Sequence, residues 1–201
     1  MTRRSSIRKR KQTKGIFCLE GLWDSDLRDT STVRPLLELL RLNANVEYIH
    51  REYATREEFE LYVRKWTLKR YDAYPILYLA SHGAESGIEI GGELYPLDDL
   101  GVLLEDRCAN RVILFASCST LNIDKRHLRD FLERTKALAV AGYKVDVGWM
   151  RATAFELLLL YNMQLGEFSG RGIGAIEKKA RAVGREFRDL DFRMETIKDL
   201  T

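Results

Sequence analysis

Residues 76–83 read Ile-Leu-Tyr-Leu-Ala-Ser-His-Gly, and residues 112–119 read Val-Ile-Leu-Phe-Ala-Ser-Cys-Ser. Each stretch is an apolar run of strand length that ends at a residue typical of nucleophilic catalysis, and a helix-like segment separates the two. Neighbouring parallel strands of an α/β sheet deliver their carboxyl ends to one edge, where functional sites form. We therefore expect His82 and Cys118 to meet at that edge as the base and the thiol of a nucleophilic pair.

The chain has 201 residues, of which 45% are hydrophobic and 31% charged, as is usual for one globular domain. Its net charge of +3 is unevenly spread, because residues 1–14 carry seven basic side chains and no acid. We expect residues 1–14 to form a basic disordered tail and residues 15–201 to form the domain. The tail is either an arm that binds nucleic acid or a partner, a localisation signal, or a solubilising terminus.

Cysteine content and hydropathy indicate the compartment. Three cysteines without a secretory signal pattern fit a reducing cytoplasm and no disulfide framework. The sequence has no apolar run near the ~20 residues that a membrane-spanning helix needs, so we expect no membrane association. No His or Cys spacing resembles a metal site, and no glycine-rich stretch resembles a phosphate-binding loop, so we expect no metal and no cofactor.

Strand and helix signals alternate along the body, which predicts an α/β fold with a mostly parallel sheet. Strands are expected at about 15–22, 45–51, 76–80, 112–116 and 137–143, with a hairpin over 87–95. Helices are expected from about 32, from 55, and over 97–106, 124–136, 149–165 and 173–189.

The chemistry of the pair also requires a place for negative charge. A thiol becomes a better nucleophile when an imidazole takes its proton, and the developing oxyanion needs backbone N–H donors. Gly83 has no Cβ to obstruct a substrate, so its amide and that of Cys118 are the expected oxyanion hole. The alternative is that His82 is an ordinary loop residue and Cys118 a buried core thiol.

Several segments together resemble a known family. PILYLASHG (75–83), GIEIGGELYPLDDL (87–100), NRVILFASCST (110–120) and the segment 137–164 resemble the caspase-like cysteine peptidases. They are most similar to the bacterial CHAT-type peptidase domain and its relative separase. The resemblance covers roughly residues 74–165 and implies a three-layer caspase-like sandwich, with His82 and Cys118 as the catalytic dyad. It also implies a protein substrate, a regulatory protein partner and an effector role in bacterial defence or stress.

The resemblance also suggests a specificity. Animal caspases have Gln-Ala before the nucleophile and a His-to-Cys spacing of roughly 50 residues. Here Ala-Ser precedes Cys118 and the spacing is 36 residues, so specificity for aspartate is unsupported. In CHAT domains and separase, an acid after the fifth strand receives a basic P1 side chain, and this implies Asp146. Lys144 is the competing residue of the same segment, and the loop carrying Asp24 and Asp26 is a further candidate support.

Two other functional classes fit the sequence. One is a non-catalytic interaction module that keeps the fold and uses the basic tail to bind protein or nucleic acid. The other is a different cysteine-dependent hydrolase or acyltransferase on a doubly wound sheet. Selective reactivity of Cys118 distinguishes a catalytic site from an interaction module.

Overall fold

The computed structural model describes residues 13–200, with side chains up to residue 198. The predicted basic tail, except for its last two residues, lies outside this range. The main chain of Lys14 donates to the side-chain oxygen of Gln164 over 2.8 Å, so Lys14 packs against the body.

The strands form two sheets. In chain order they are β1 (Ile16–Gly21), β2 (Tyr48–Tyr53), β3 (Ile76–Ala80), β4 (Gly83–Ala84), β5 (Gly87–Ile90), β6 (Glu93–Pro96), β7 (Val112–Ala116), β8 (Ala139–Tyr143) and β9 (Phe192–Thr196). The central sheet has the order β2-β1-β3-β7-β8-β9, and β9 alone in it is antiparallel. The small antiparallel sheet β4-β5-β6 follows directly on the end of β3.

Six α-helices of the described chain flank the central sheet. They are α1 (Arg34–Ala44), α2 (Arg56–Trp66), α3 (Leu97–Leu103), α4 (Lys125–Thr135), α5 (Trp149–Gln164) and α6 (Ile173–Gly184). These helices and the central sheet confirm the predicted α/β class with a mostly parallel sheet.

Within the described range, the helices are too short or too polar to span a bilayer.

Strand alternation produces two hydrophobic cores, one on each face of the sheet. In β1, Ile16 and Cys18 join the core beneath α1, α5 and α6, whereas Phe17 and Leu19 join the core beneath α2, α3 and α4. Side chains of successive strand residues point to opposite faces, so a strand that is apolar throughout serves both cores. The result is a helix–sheet–helix arrangement in three layers.

Local sequence signals fix several helix boundaries. Pro35 lies in the first turn of α1, where its missing N–H is not needed. Thr55 caps α2 by accepting a hydrogen bond from the amide of Glu58, and Asp124 caps α4 by accepting one from the amide of His127. These side chains satisfy amides that have no partner inside the helix.

The carboxyl-terminal region differs from the expectation. The helix predicted over 173–189 ends at Gly184, and a 3-10 segment follows over Arg185–Leu190. Asp191 then takes a left-handed conformation with φ of 38°, and the chain turns into β9 beside β8. Apolar and charged residues continue at helical spacing through this region, so periodicity alone does not reveal the turn.

Candidate functional site

The register of two central strands brings the predicted pair together. Ala80 of β3 lies opposite Ala116 of β7, and His82 and Cys118 each follow two residues later. Both side chains line one cavity of about 170 Å³ at the carboxyl edge of the sheet. His82 is exposed and Cys118 is partly buried, so the thiol is not sealed in the core.

Gly83 packs against the loop that carries the thiol. A Cβ at this position would lie 2.6 Å from the carbonyl oxygen of Cys118 and 2.8 Å from the Cβ of Ser117. Only glycine therefore allows the His82 loop and the Cys118 loop to approach this closely. Thr120 stabilises the contact between the two loops, because its hydroxyl donates to the carbonyl of Gly87 over 3.0 Å.

The loop after β8 holds the thiol from the other side. The amide of Val147 donates to Sγ of Cys118 over 3.5 Å, and the amide of Ser119 donates to the carbonyl of Val145 over 3.1 Å. Ser119 has a φ of 52° in the left-handed region, which turns the chain sharply behind Cys118. These contacts hold Cys118 in place at the cavity that it shares with His82.

The imidazole of His82 is held in one tautomer. Its Nε2 lies 2.7 Å from the carbonyl oxygen of Trp23, which only accepts hydrogen bonds, so Nε2 carries the proton. In the neutral ring the lone pair is then on Nδ1, the atom that remains to act as a base. The ring of Trp23 also contacts the imidazole edge to face, with 5.4 Å between centroids.

A buried carboxylate fixes Trp23 itself. Glu20 is 2% exposed and accepts from the indole nitrogen of Trp23 over 2.7 Å and from Nε2 of His50 at 2.6 Å. It also accepts from the hydroxyl of Thr32 and the amide of Val33. Burial raises the pKa of Glu20, but these hydrogen bonds outweigh burial and lower it below its ordinary value. Glu20 therefore positions the segment that orients His82.

The structure separates the predicted substrate-binding residues. Asp146 is exposed, accepts a 2.7 Å hydrogen bond from the hydroxyl of Ser119, and does not line the 170 Å³ cavity. Lys144 is paired with Asp191 at 2.8 Å and does not line that cavity either.

The loop after β1 lies on the other side of His82. Asp24 and His82 both line a second cavity of about 670 Å³. Asp26 does not line it, and its carboxylate pairs with Arg28 at 2.6 Å. Of the four predicted acidic and basic residues, only Asp24 therefore lies in a cavity next to His82.

Three residues around His82 and Cys118 were not predicted from the sequence: Glu20, Trp23 and Glu156. Glu20 interrupts an apolar strand, and Glu156 is the only charged residue between Ala152 and Tyr161. A lone charge in a buried element is a usable signal, because such a charge needs partners. Trp23 has no comparable local signal, since its role comes from its main-chain carbonyl.

One described group of three side chains has the composition of a metal site. Ligand atoms of Glu20, His50 and Glu52 lie within 4.8 Å of one another. However, both oxygens of Glu20 already accept hydrogen bonds from protein donors. This group is better explained as the support of Trp23.

The three cysteines are expected to differ sharply in reactivity. Iodoacetamide should alkylate Cys118 at least about 100-fold faster than Cys18 or Cys108 in the folded protein at pH 7.5, because both other thiols are 0% exposed. Burial, with the nearby carboxylates of Glu20 and Glu156, raises the pKa of Cys18, and burial raises that of Cys108 to about 12. Peptide mass mapping of a time course measures this, and equal labelling of all three thiols would contradict it.

The fold and the site define a three-layer α/β protein whose sheet edge brings a histidine and a cysteine to one cavity. Residues 13–166 match a family described as a family of unknown function (DUF6642), and the chain belongs to this family. No curated protein matches the chain.

Proposed function

We propose that this protein is a caspase-like cysteine endopeptidase that hydrolyses peptide bonds of a protein substrate after a basic P1 residue. The observation that carries the proposal is the convergence of His82 and Cys118 on one cavity, with Nδ1 of His82 left as the base. The buried positions of Cys18 and Cys108 leave Cys118 as the accessible nucleophile among the three cysteines.

The proposed reaction proceeds through an acyl-enzyme. Nδ1 of His82 takes the thiol proton as Sγ of Cys118 attacks the scissile carbonyl, and the amides of Gly83 and Cys118 stabilise the resulting oxyanion. His82 returns the proton to the leaving amine as the C–N bond breaks, which leaves a thioester. Water, deprotonated by His82, then attacks the thioester, and the thiol leaves with the proton.

The setting of this activity is part of the same proposal. The resemblance to CHAT-type peptidases supports a cytoplasmic effector in bacterial defence or stress whose activity a protein partner regulates. The non-catalytic alternative, which uses the basic tail to bind protein or nucleic acid, gives no role to the His82–Trp23 contact or to the accessible thiol. We therefore favour the peptidase.

A peptidyl acyloxymethyl ketone with Arg or Lys at P1 tests the proposal. The expected result is one covalent adduct on Cys118, found by peptide mass mapping, together with cleavage of an unstructured protein such as casein. Chloroacetamide without a peptide is the reference for simple thiol reactivity. Labelling no faster than that reference, together with absence of cleavage with or without cell extract as a source of activator, would overturn the peptidase and favour the interaction module.

A further inference from the structure

A buried acid lies in the same cavity as the thiol. Glu156 is 3% exposed and lies on α5, where Trp149, Ala152, Thr153 and Glu156 follow at helical spacing and all line the 170 Å³ cavity. Trp149 at the start of this face is 38% exposed, whereas Glu156 at its end is only 3% exposed. Glu156 is therefore at the inner end of the cavity, whereas His82 is at its exposed rim.

The contacts of Glu156 leave its charge without a counterion. The hydroxyl of Tyr78 donates to Oε2 over 2.5 Å, and the hydroxyl of Tyr143 donates to Oε1 over 2.8 Å. Among the described residues, no Lys, Arg or His side chain forms an ion pair or hydrogen bond with Glu156. Each carboxylate oxygen has two lone pairs, so each retains acceptor capacity for a further donor.

The walls of the cavity suit an apolar stem. Trp23, Val33, Trp149 and Ala152 contribute carbon-rich surface to the cavity that Glu156 also lines. The volume holds several water-sized groups, which is the scale of one extended side chain. A mostly apolar cavity that also holds an acid without a counterion is complementary to a flexible chain that ends in a cation.

We propose that this cavity binds the side chain of a lysine or an arginine and that Glu156 is the residue that selects it. The inference rests on the proposed peptidase, in which this cavity is the S1 subsite that receives the P1 side chain beside Cys118. It replaces the earlier assignment to Asp146, which lies outside the cavity and already accepts from Ser119.

Protection of the thiol tests the subsite without requiring catalysis. The probe is n-butylguanidine, a single cation on an apolar stem, and pentanamide is the uncharged comparison. At pH 8, n-butylguanidine should slow iodoacetamide alkylation of Cys118 at least about tenfold at saturation, with much less effect from pentanamide. Glu156→Gln should weaken the apparent affinity for n-butylguanidine at least about tenfold, because it removes a charge-assisted contact. Glu133→Gln, on the exposed face of α4, is the matched control and should retain it.

A pH comparison covers the case in which Glu156→Gln does not fold. The titratable groups that face Glu156 are Tyr78 from β3, Tyr143 from β8, Cys18 from β1, and Cys118 and His82 at the cavity. In a His82→Ala background, n-butylguanidine should bind about tenfold more tightly at pH 8 than at pH 6. The reason is that burial raises the pKa of Glu156 to about 7, so the carboxylate forms in this interval.

Three results would overturn the inference: no protection by n-butylguanidine, equal protection by pentanamide, or loss of protection in Asp146→Asn with retention in Glu156→Gln. Failure of the peptidase proposal gives a different pattern. In that case Glu156-dependent protection remains while no peptide is cleaved.

Discussion

Replacing Cys118 by Ala is expected to abolish peptide cleavage, and replacing His82 by Ala is expected to lower kcat/KM at least about 10³-fold. In the proposed mechanism, Cys118, the accessible thiol among the three, is the nucleophile, and His82, which its contact with Trp23 orients, is the base. Because the two side chains act as one unit, the double variant should be no slower than Cys118→Ala alone. Steady-state cleavage of a fluorogenic peptide with Arg at P1 measures both effects.

Matched variants control for general damage. Cys108→Ala removes a buried thiol on the opposite face of the sheet from α5, and His127→Ala removes an exposed imidazole on α4; both should keep kcat/KM within a few-fold. Retention of activity in Cys118→Ala would assign the chemistry to another group. Equal loss in all four variants, with lowered thermal midpoints, would indicate unfolding instead.

The sequence predicted the edge of the sheet well because the relevant signals are local. The apolar runs that end at Ala80 and Ala116 have the length and composition of buried parallel strands, and the structure contains both with the predicted bounds. The fixed register between them then brings His82 and Cys118 to one cavity. Strand length and strand adjacency therefore determine where these two side chains lie.

The rest of the site depends on contacts that no local pattern encodes. The carbonyl of Trp23 reaches His82 from 59 residues away along the chain. Glu20 holds the indole of Trp23 directly and is itself bound by His50 from a different strand. The resemblance to CHAT domains and separase implied Asp146 as the acid of the substrate pocket, but its carboxylate accepts from the hydroxyl of Ser119 and does not line the cavity of His82 and Cys118. β9 was missed because it follows a helix without a composition change.

Glu156 shows how the proposed binding site relates to stability. Tyr78 and Tyr143 satisfy one lone pair on each oxygen, but removal from water still disfavours the charged form. A neutral side chain of the same shape would pack in this position at lower cost at neutral pH. In our proposal, the acid is present because a cationic substrate side chain supplies the missing counterion.

Glu156→Gln is therefore expected to become progressively more stable than the wild type as pH rises from 5 to 8. Burial raises the pKa of Glu156 to about 7 from the ordinary 4.5, against the opposing hydrogen bonds from Tyr78 and Tyr143. Below about 4.5 the carboxyl is protonated in both the folded and the unfolded chain. Between 4.5 and 7 the unfolded chain loses this proton first, so the folded wild type loses stability with rising pH, and the effect levels off above 7. At about 1.4 kcal/mol per pKa unit, the relative free energy of unfolding should change by about 2–3 kcal/mol.

Urea denaturation of the two proteins at pH 5, 6, 7 and 8 measures this difference in the free energy of unfolding. Glu133→Gln is the exposed control, and its free energy of unfolding should differ from that of the wild type by the same amount at every pH. The pH dependence of stability at acidic pH should have the opposite direction. The pKa of Glu20 is lowered, so stability from Glu20 is present above its ordinary pKa and is lost on acidification, the reverse of Glu156. A constant difference between the wild type and Glu156→Gln across the range would mean that Glu156 does not titrate between 4.5 and 7. Saturating n-butylguanidine at pH 8 should narrow the difference, because it stabilises only the folded protein that retains the carboxylate.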